Sequence, residues 1–334
     1  MPDTYLLLGD ALSRSHRRVV EIVLAHADEI VREHGLSEEY LVVRELSFPN
    51  GRADVAIFSL LNDMYVVPIA VEAKGGELRS GNELSHIVSK KVKGVYDDAF
   101  THVYLAVPGI RRGLEDLVRR YLRELGYGLI LVGEDEVSIL ERARPKRAPG
   151  DAYFEVASRG VLYLAVKRAL SELGFKVDTV TSNWIGLKRP INYYGALHGG
   201  RAVFGIYAER LERAKELLRS IDPAQLASKG YRLHVYIQFA VGGGVFSTLH
   251  VCDEPLSSYL PVRTEEILQL MKALKRFYGR GSGPRVGVSL SIYKFLWDVR
   301  HIPTYQGALE RVRACLSPSE LGSLKELCES QSRY

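Results

Sequence analysis

The sequence predicts an α/β fold in two parts: a mixed sheet flanked by helices, then a second, more basic α+β domain. Three observations carry this. An early segment repeats apolar residues at helical spacing, and short β-rich runs separated by turn residues follow it. A basic stretch containing proline and glycine, Glu141–Gly150, interrupts the pattern near the middle of the chain. The charge is divided unevenly on either side of it. With 334 residues, 46% hydrophobic and 25% charged, the chain is long enough for two cores and too apolar to be disordered.

The elements of the first part can be justified in turn. From Ser15 to His34, Val20, Val23, Leu24, Ala27, Ile30 and Val31 share one helical face, and Gly35 follows as a stop. Three strand-like runs come next, Tyr40–Phe48, Arg52–Leu60 and Met64–Lys74, with turns at Pro49-Asn-Gly51 and Leu61-Asn-Asp63. Together they make an antiparallel meander. Pro68 interrupts the third run and predicts a bulge or an unpaired position before Ile69, because proline lacks a ladder donor. Ser80-Gly-Asn-Glu83 has the form of a capping box opening a second helix, with Leu84, Ile87, Val88, Val92 and Val95 facing inward. A strand at His102–Val107, a helix at about Gly113–Leu125 and strands at Gly128–Val132 and Val137–Leu140 complete the part.

In the second part helices are predicted at 160–173, 209–220 and 264–278, and strands at 175–181, 201–208, 231–239, 245–251 and 285–293. Gly242-Gly-Gly244 serves as a hairpin turn. The expected domains are 1–143 and 151–334, with 144–150 as the connection. Residues 1–150 carry 20 basic and 23 acidic groups, net −3, and residues 151–334 carry 25 and 17, net +8, which together give the total of +5.

No apolar run reaches the roughly 18 residues of a membrane span, and the first residues carry no basic stretch ahead of their short apolar patch. A cytoplasmic protein without a membrane partner is expected. Cys252, Cys315 and Cys328 form no CxxC pair, so neither a disulfide framework nor a cysteine zinc site is predicted. Five Asn, five Gln and an excess of Arg over Lys lean towards a heat-adapted source.

The chemistry concentrates in the meander. Asp54 lies near the start of the second run, and Glu72-Ala-Lys74 ends the third, its antiparallel neighbour. Residues i and i+2 of a strand share a face, so Glu72 and Lys74 point the same way, and the turn brings Asp54 beside them. Two carboxylates and the Ala73 carbonyl are hard oxygen donors suited to Mg²⁺, with Mn²⁺ able to substitute. Such a cation stabilises charge developing on a phosphodiester oxygen, and Lys74 is placed to orient or deprotonate an attacking water. Of the 14 lysines, only Lys74 has an acidic residue two positions before it. The bland alternative is that Asp54 caps a turn while Glu72 and Lys74 form a solvated strand end.

Gly51-Arg-Ala-Asp54-Val-Ala-Ile-Phe58 followed by Val66-Val-Pro-Ile-Ala-Val-Glu72-Ala-Lys74 resembles the core of the PD-(D/E)xK nuclease superfamily, over residues 15 to about 140. Ala53-Asp54 stands where the motif's name has Pro-Asp. The resemblance implies a restriction-endonuclease-like sheet, with Asp54 and Glu72 as metal ligands and Lys74 as the catalytic lysine. Some members add an acidic residue from the first helix; here that is Glu21, which the helix edge equally allows to be merely solvated.

Lys90 and Lys91 on the second helix either contact phosphate or form a solvated basic face. In the second part, Lys188 and Arg189 with nearby Trp184, Tyr193 and Tyr194, and Lys294 with Tyr293 and Trp297, mix cations with aromatics, as nucleic-acid surfaces do. The loop holding Arg280 and Arg285 can cradle a phosphate, but it lacks the Lys-Ser/Thr of a nucleotide-binding loop, so no nucleotide cofactor is predicted. The expected function is a Mg²⁺-dependent DNA endonuclease of restriction or repair type, acting as a homodimer. The alternatives are an inactive nucleic-acid-binding subunit of a larger complex, or a nuclease acting on RNA.

Overall fold

The computed structural model describes residues 15–147, 150–181, 184–187, 193–198, 201–208, 228–241, 245–255, 286–296 and 304–316, with positions 269 and 319. Two compact units emerge. The first holds the described residues up to Ala169, together with Val180, Thr181 and Thr304–Val312.

In the first unit the predicted first helix is two helices, α1 over residues 15–25 and α2 over Ala27–Glu33. His26 breaks it: its ring is held by Glu29 Oε1 at 3.0 Å and by the Asp135 carbonyl at 2.9 Å. The meander follows as β1 (Tyr40–Phe48), β2 (Gly51–Leu61) and β3 (Tyr65–Ala73). Asn62 and Asp63 take φ of 53° and 55° in the β2–β3 turn, the left-handed region that their short polar side chains tolerate. The chain continues through α3 (Gly81–Ile87), a π-helical turn Val88–Val92, β4 (His102–Val107), α4 (Glu115–Leu125), β5 (Gly128–Val132) and β6 (Val137–Glu141). The capping box is present: Ser80 Oγ accepts the Glu83 N–H at 3.2 Å, and Glu83 Oε2 takes the Arg79 N–H at 2.9 Å.

The six strands form one mixed sheet in chain order, β1 to β6. Pairs β3–β4 and β4–β5 are parallel and the rest antiparallel. Helices cross between the parallel pairs, as such connections require. No bulge forms at Pro68. The ladder with β2 passes through Phe58 and Pro68 in register, and pairing with β4 begins only at Ile69. No partner therefore needs the donor that proline lacks, and its carbonyl accepts from Thr101 N and Oγ1.

Each face of the sheet is covered. Val19, Val20, Val23, Ala27, Ile30 and Val31 of α1 and α2 pack on Val55, Ile57, Ile69, Val71, Tyr104 and Ile130. The other face receives Phe48, Tyr96 and Phe100, whose rings meet edge-on or tilted, and α5 (Asp151–Glu172). The sequence expectation ended the first domain at residue 143, but α5 packs on this sheet. Gly160 lets the helix come so close that a Cβ there would stand 2.3 Å from Phe58 Cδ1. Arg159 donates to the Ser47 carbonyl and Lys167 to that of Tyr40. The expected connection 144–150 is also anchored: it follows the buried Ala143, and Arg144 N and Lys146 N donate to the carbonyls of Gly126 and Thr101. Here α6 (Tyr305–Cys315), absent from the sequence reading, contributes Tyr305, which donates to Glu39 Oε1 at 2.6 Å.

The second unit contains an antiparallel sheet. After β7 (Val177–Thr181), it comprises β8 (Trp184–Leu187), β9 (Tyr193–His198), β10 (Arg201–Ala208), β11 (Tyr231–Val241), β12 (Val245–Pro255) and β13 (Val286–Phe295). From β8 the spatial order is β8-β9-β10-β13-β11-β12. The predicted helices 209–220 and 264–278 and the Gly242–Gly244 turn lie outside the described residues. No described helix is long and apolar enough to cross a membrane.

Candidate functional site

The site forms where β2 and β3 part. Their ladder ends at Val55 and Val71, so Asp54 and Glu72 are the first residues of the gap. On the other side of β2, the ladder pairs Arg44 with Val55 and Leu46 with Ala53 but skips Glu45 and Asp54. Glu45 there takes φ of 52°, a conformation that costs a non-glycine residue about 1 kcal/mol or more. Asp54 is thereby released from both ladders. Its Oδ2 accepts the Ala73 N–H at 2.9 Å and closes the gap with a side chain instead of a strand.

Glu72 is 2% exposed, the only fully buried acidic side chain among the described residues. Burying a carboxylate is costly unless its oxygens are partnered, and both are. Lys74 Nζ donates to Oε1 at 2.6 Å, and the Tyr96 hydroxyl donates to Oε2 at 2.5 Å. Lys91 Nζ also approaches Oε1, at 4.0 Å. Burial first, then Glu72 and Asp54, push the Tyr96 hydroxyl far above the usual tyrosine range. It therefore remains a donor. The Arg52 carbonyl also lies 3.0 Å from it, but one proton serves one acceptor well, and the carboxylate is the stronger.

Asp54, Glu72, Ala73 and Lys74 thus meet at one corner, as their spacing predicts. The structure adds residues that the sequence reading did not single out. His16, at the start of α1, brings Nε2 to 3.3 Å from Asp54 Oδ2, while its neighbour Ser15 donates to the Gly75 carbonyl. Tyr96 was hidden because an aromatic four residues beyond Val92 on an apolar face looks like ordinary core. His16 was hidden because nothing local distinguishes it from a solvated residue ahead of the apolar stripe.

Glu21 is not brought to this corner. It pairs with Arg44 NH1 at 2.5 Å and borders an open groove of about 580 Å³ lined also by Arg17, Arg18, His26, Glu134 and Asp135. The reason is rotational: five helical residues beyond His16 turn Glu21 some 140° around the axis (about 100° per residue) from the side that meets Asp54. Lys90 is exposed on the π turn beside Lys91. Lys188, Arg189, Arg280 and Arg285 lie outside the described residues. Lys294 belongs to the second unit, its Nζ 5.0 Å above the Tyr231 ring.

For a hard cation, the candidate donors are the Asp54 and Glu72 carboxylates and the Ala73 carbonyl. The donor chemistry fits Mg²⁺, and a cation here would displace Lys74, 2.6 Å from one oxygen of Glu72, with Lys91 4.0 Å away. Among the described residues, however, no three His, Cys, Asp or Glu side chains form a ready metal cage. Any cation here relies on main-chain oxygen and water to complete its shell.

No family model matches the chain, and no curated protein matches it. Among solved structures, the SPO1766 protein of unknown function from Silicibacter pomeroyi matches with a TM-score of 0.28 and 17% identity, over 47% of this chain and 90% of its own.

Proposed function

We propose that the protein is a metal-dependent nuclease of the PD-(D/E)xK type, with a restriction-endonuclease-like first unit. The observation that carries the reading is the corner where Asp54 leaves both ladders beside a buried Glu72 held by Lys74. Asp54, Glu72 and the Ala73 carbonyl would hold Mg²⁺, and the ion would supply electrostatic stabilisation of the charge developing on a phosphodiester oxygen. Lys74 would orient the attacking water, and would act as its base only after passing its own ammonium proton to solvent. Tyr96 keeps the Glu72 carboxylate aimed. His16, 3.3 Å from Asp54, orients that carboxylate from the solvent side.

Net +8 in residues 151–334 supports a polyanionic partner, which this reading takes to be DNA. Cutting both strands takes two such corners, so the reading carries a homodimer with it. The test is cleavage of plasmid, branched DNA and RNA with Mg²⁺ or Mn²⁺ and with chelator. Metal-dependent cutting of DNA supports the reading, and cutting of RNA alone reassigns the substrate.

One observation favours a second reading. Both oxygens of Glu72 are already satisfied by protein donors, as in a binding subunit that keeps the fold without turnover. Tight nucleic-acid binding with no cleavage under any divalent cation would establish that reading instead.

A further inference from the structure

Next to Tyr96 in the chain, Asp97 makes a second set of contacts that leads away from the corner. Its Oδ2 accepts from the Tyr127 hydroxyl at 2.7 Å, and its Oδ1 from Lys146 Nζ at 2.6 Å. The Lys146 ammonium also sits 3.5 Å from the centre of the Tyr127 ring, a cation–π contact that closes the triangle. Burial and the bond to Asp97 push the Tyr127 hydroxyl up, so it stays a donor. The triangle fastens three pieces of chain: the turn that carries Tyr96, the start of β5, and the strap Arg144–Lys146 that leads out of the sheet towards α5. Main-chain bonds from Lys146 N to the Thr101 carbonyl (2.7 Å) and from Arg144 N to the Gly126 carbonyl (3.0 Å) hold the strap in place.

The turn follows a π-helical stretch, an irregular piece of helix. It is bonded to the Val88 and Val92 carbonyls through Lys93 N, Val95 N and Tyr96 N, and Tyr96, Ala99 and Phe100 bury its inner side; Asp97 ties it by a side chain to the start of β5 and to the strap. A small displacement of the turn would move the Tyr96 hydroxyl out of range of Glu72, because a 2.5 Å bond between two side chains 1% and 2% exposed leaves no slack.

We infer that Asp97 is a positioning residue for the candidate site: clamped by Lys146 and Tyr127, it sets the placement of Tyr96 and through it the Glu72 carboxylate. The strap between β6 and α5 is thereby part of the site's control and not a passive connection. The consequence for metal binding and cleavage rests on the nuclease reading; the coupling itself does not.

The test uses the full chain without metal and reads the Glu72 carboxyl-carbon resonance at pH 7.5 in wild type, Tyr96→Phe, Lys146→Met and the double variant. Lys146→Met keeps the aliphatic stem over Tyr127 and removes the charge. The expected result is that Lys146→Met moves the Glu72 signal in the same direction as Tyr96→Phe, that the double variant moves it no further than Tyr96→Phe, and that Lys146→Arg restores it. Asp97→Asn gives the same reading should Lys146→Met not fold. In Mn²⁺ titrations, Lys146→Met should weaken binding roughly tenfold, the usual scale for groups that orient a ligand. A Glu72 signal untouched by Lys146→Met and Asp97→Asn, or additive shifts in the double variant, would overturn the inference. If wild type neither binds Mn²⁺ nor cleaves while the Glu72 signal still follows Lys146, the coupling stands and the nuclease reading falls.

Discussion

The Tyr96 hydroxyl lies 2.5 Å from Oε2 of Glu72, and both side chains are buried beneath the parting of β2 and β3. The sheet places a carboxylate where water cannot serve it, and a tyrosine from the crossover serves it instead. Tyr96→Phe keeps the ring against Phe48 and Phe100 but removes the donor. An unsatisfied buried carboxylate oxygen should cost about 1–3 kcal/mol. Urea unfolding should show the loss at unchanged m-value.

Lys74 gives a test that needs no activity. Lys74→Met leaves Glu72 with Tyr96 and the more distant Lys91 only. The expected cost is roughly 2 kcal/mol, below the ~3–5 kcal/mol of a fully buried pair because solvent screens the ammonium. Adding Glu72→Gln to Lys74→Met should recover part of it. A double variant less stable than both single variants would mean that the pair is not the dominant partner of this carboxylate.

Gly160 tests whether α5 belongs to the first sheet. In an exposed helix, alanine is favoured over glycine by about 1 kcal/mol. Here the added methyl would meet Phe58 and Val66, at 2.3 and 2.9 Å. Gly160→Ala should therefore destabilise, by about 1–3 kcal/mol, and a stabilised variant would remove α5 from this position.

Two histidines make a pH prediction. His34 Nε2 lies 2.7 Å from the Tyr104 hydroxyl, and its ring centre is 4.1 Å from that of His102. The Ala143 N–H also faces the Tyr104 oxygen, and a neutral His34 ring can accept the Tyr104 hydroxyl proton through Nε2. Burial first, then His102 and Arg142, hold His34 down at about 3; burial and Arg142 hold His102 at about 4. Between these values and the ordinary 6.5 the unfolded chain binds more protons than the folded one. The stability contributed by keeping both rings neutral is complete above pH 6.5 and is lost progressively as the pH falls towards 4 and below. Denaturant midpoints should drop across this window more steeply in wild type than in His34→Gln/His102→Gln.

Much of this arrangement is legible in the residues themselves. The apolar strand runs of the meander, the Asn62-Asp63 turn and the Ser80–Glu83 box each act through a few neighbours in sequence. The Glu72-x-Lys74 pairing is legible for the same reason, since strand geometry alone puts both on one face. The rest depends on distant contacts. The first helix breaks at His26, whose ring is bonded to the Asp135 carbonyl, over a hundred residues away. Tyr96 and His16 reach the corner only once helices dock on the sheet. The anchoring of the expected connection has the same origin: Pro145 and the basic residues around it look like a free linker, yet Arg144 N and Lys146 N are bonded to the Gly126 and Thr101 carbonyls at the entries to β5 and β4.

The central claim is metal-dependent phosphodiester hydrolysis at the Asp54–Glu72–Lys74 corner, and single-turnover cleavage of a branched or plasmid DNA by wild type and Lys74→Ala tests it most directly. The prediction is cleavage by wild type with Mg²⁺, none with chelator, and a loss on the order of 10²-fold or more in Lys74→Ala. Equal rates for the two proteins under metal would contradict it.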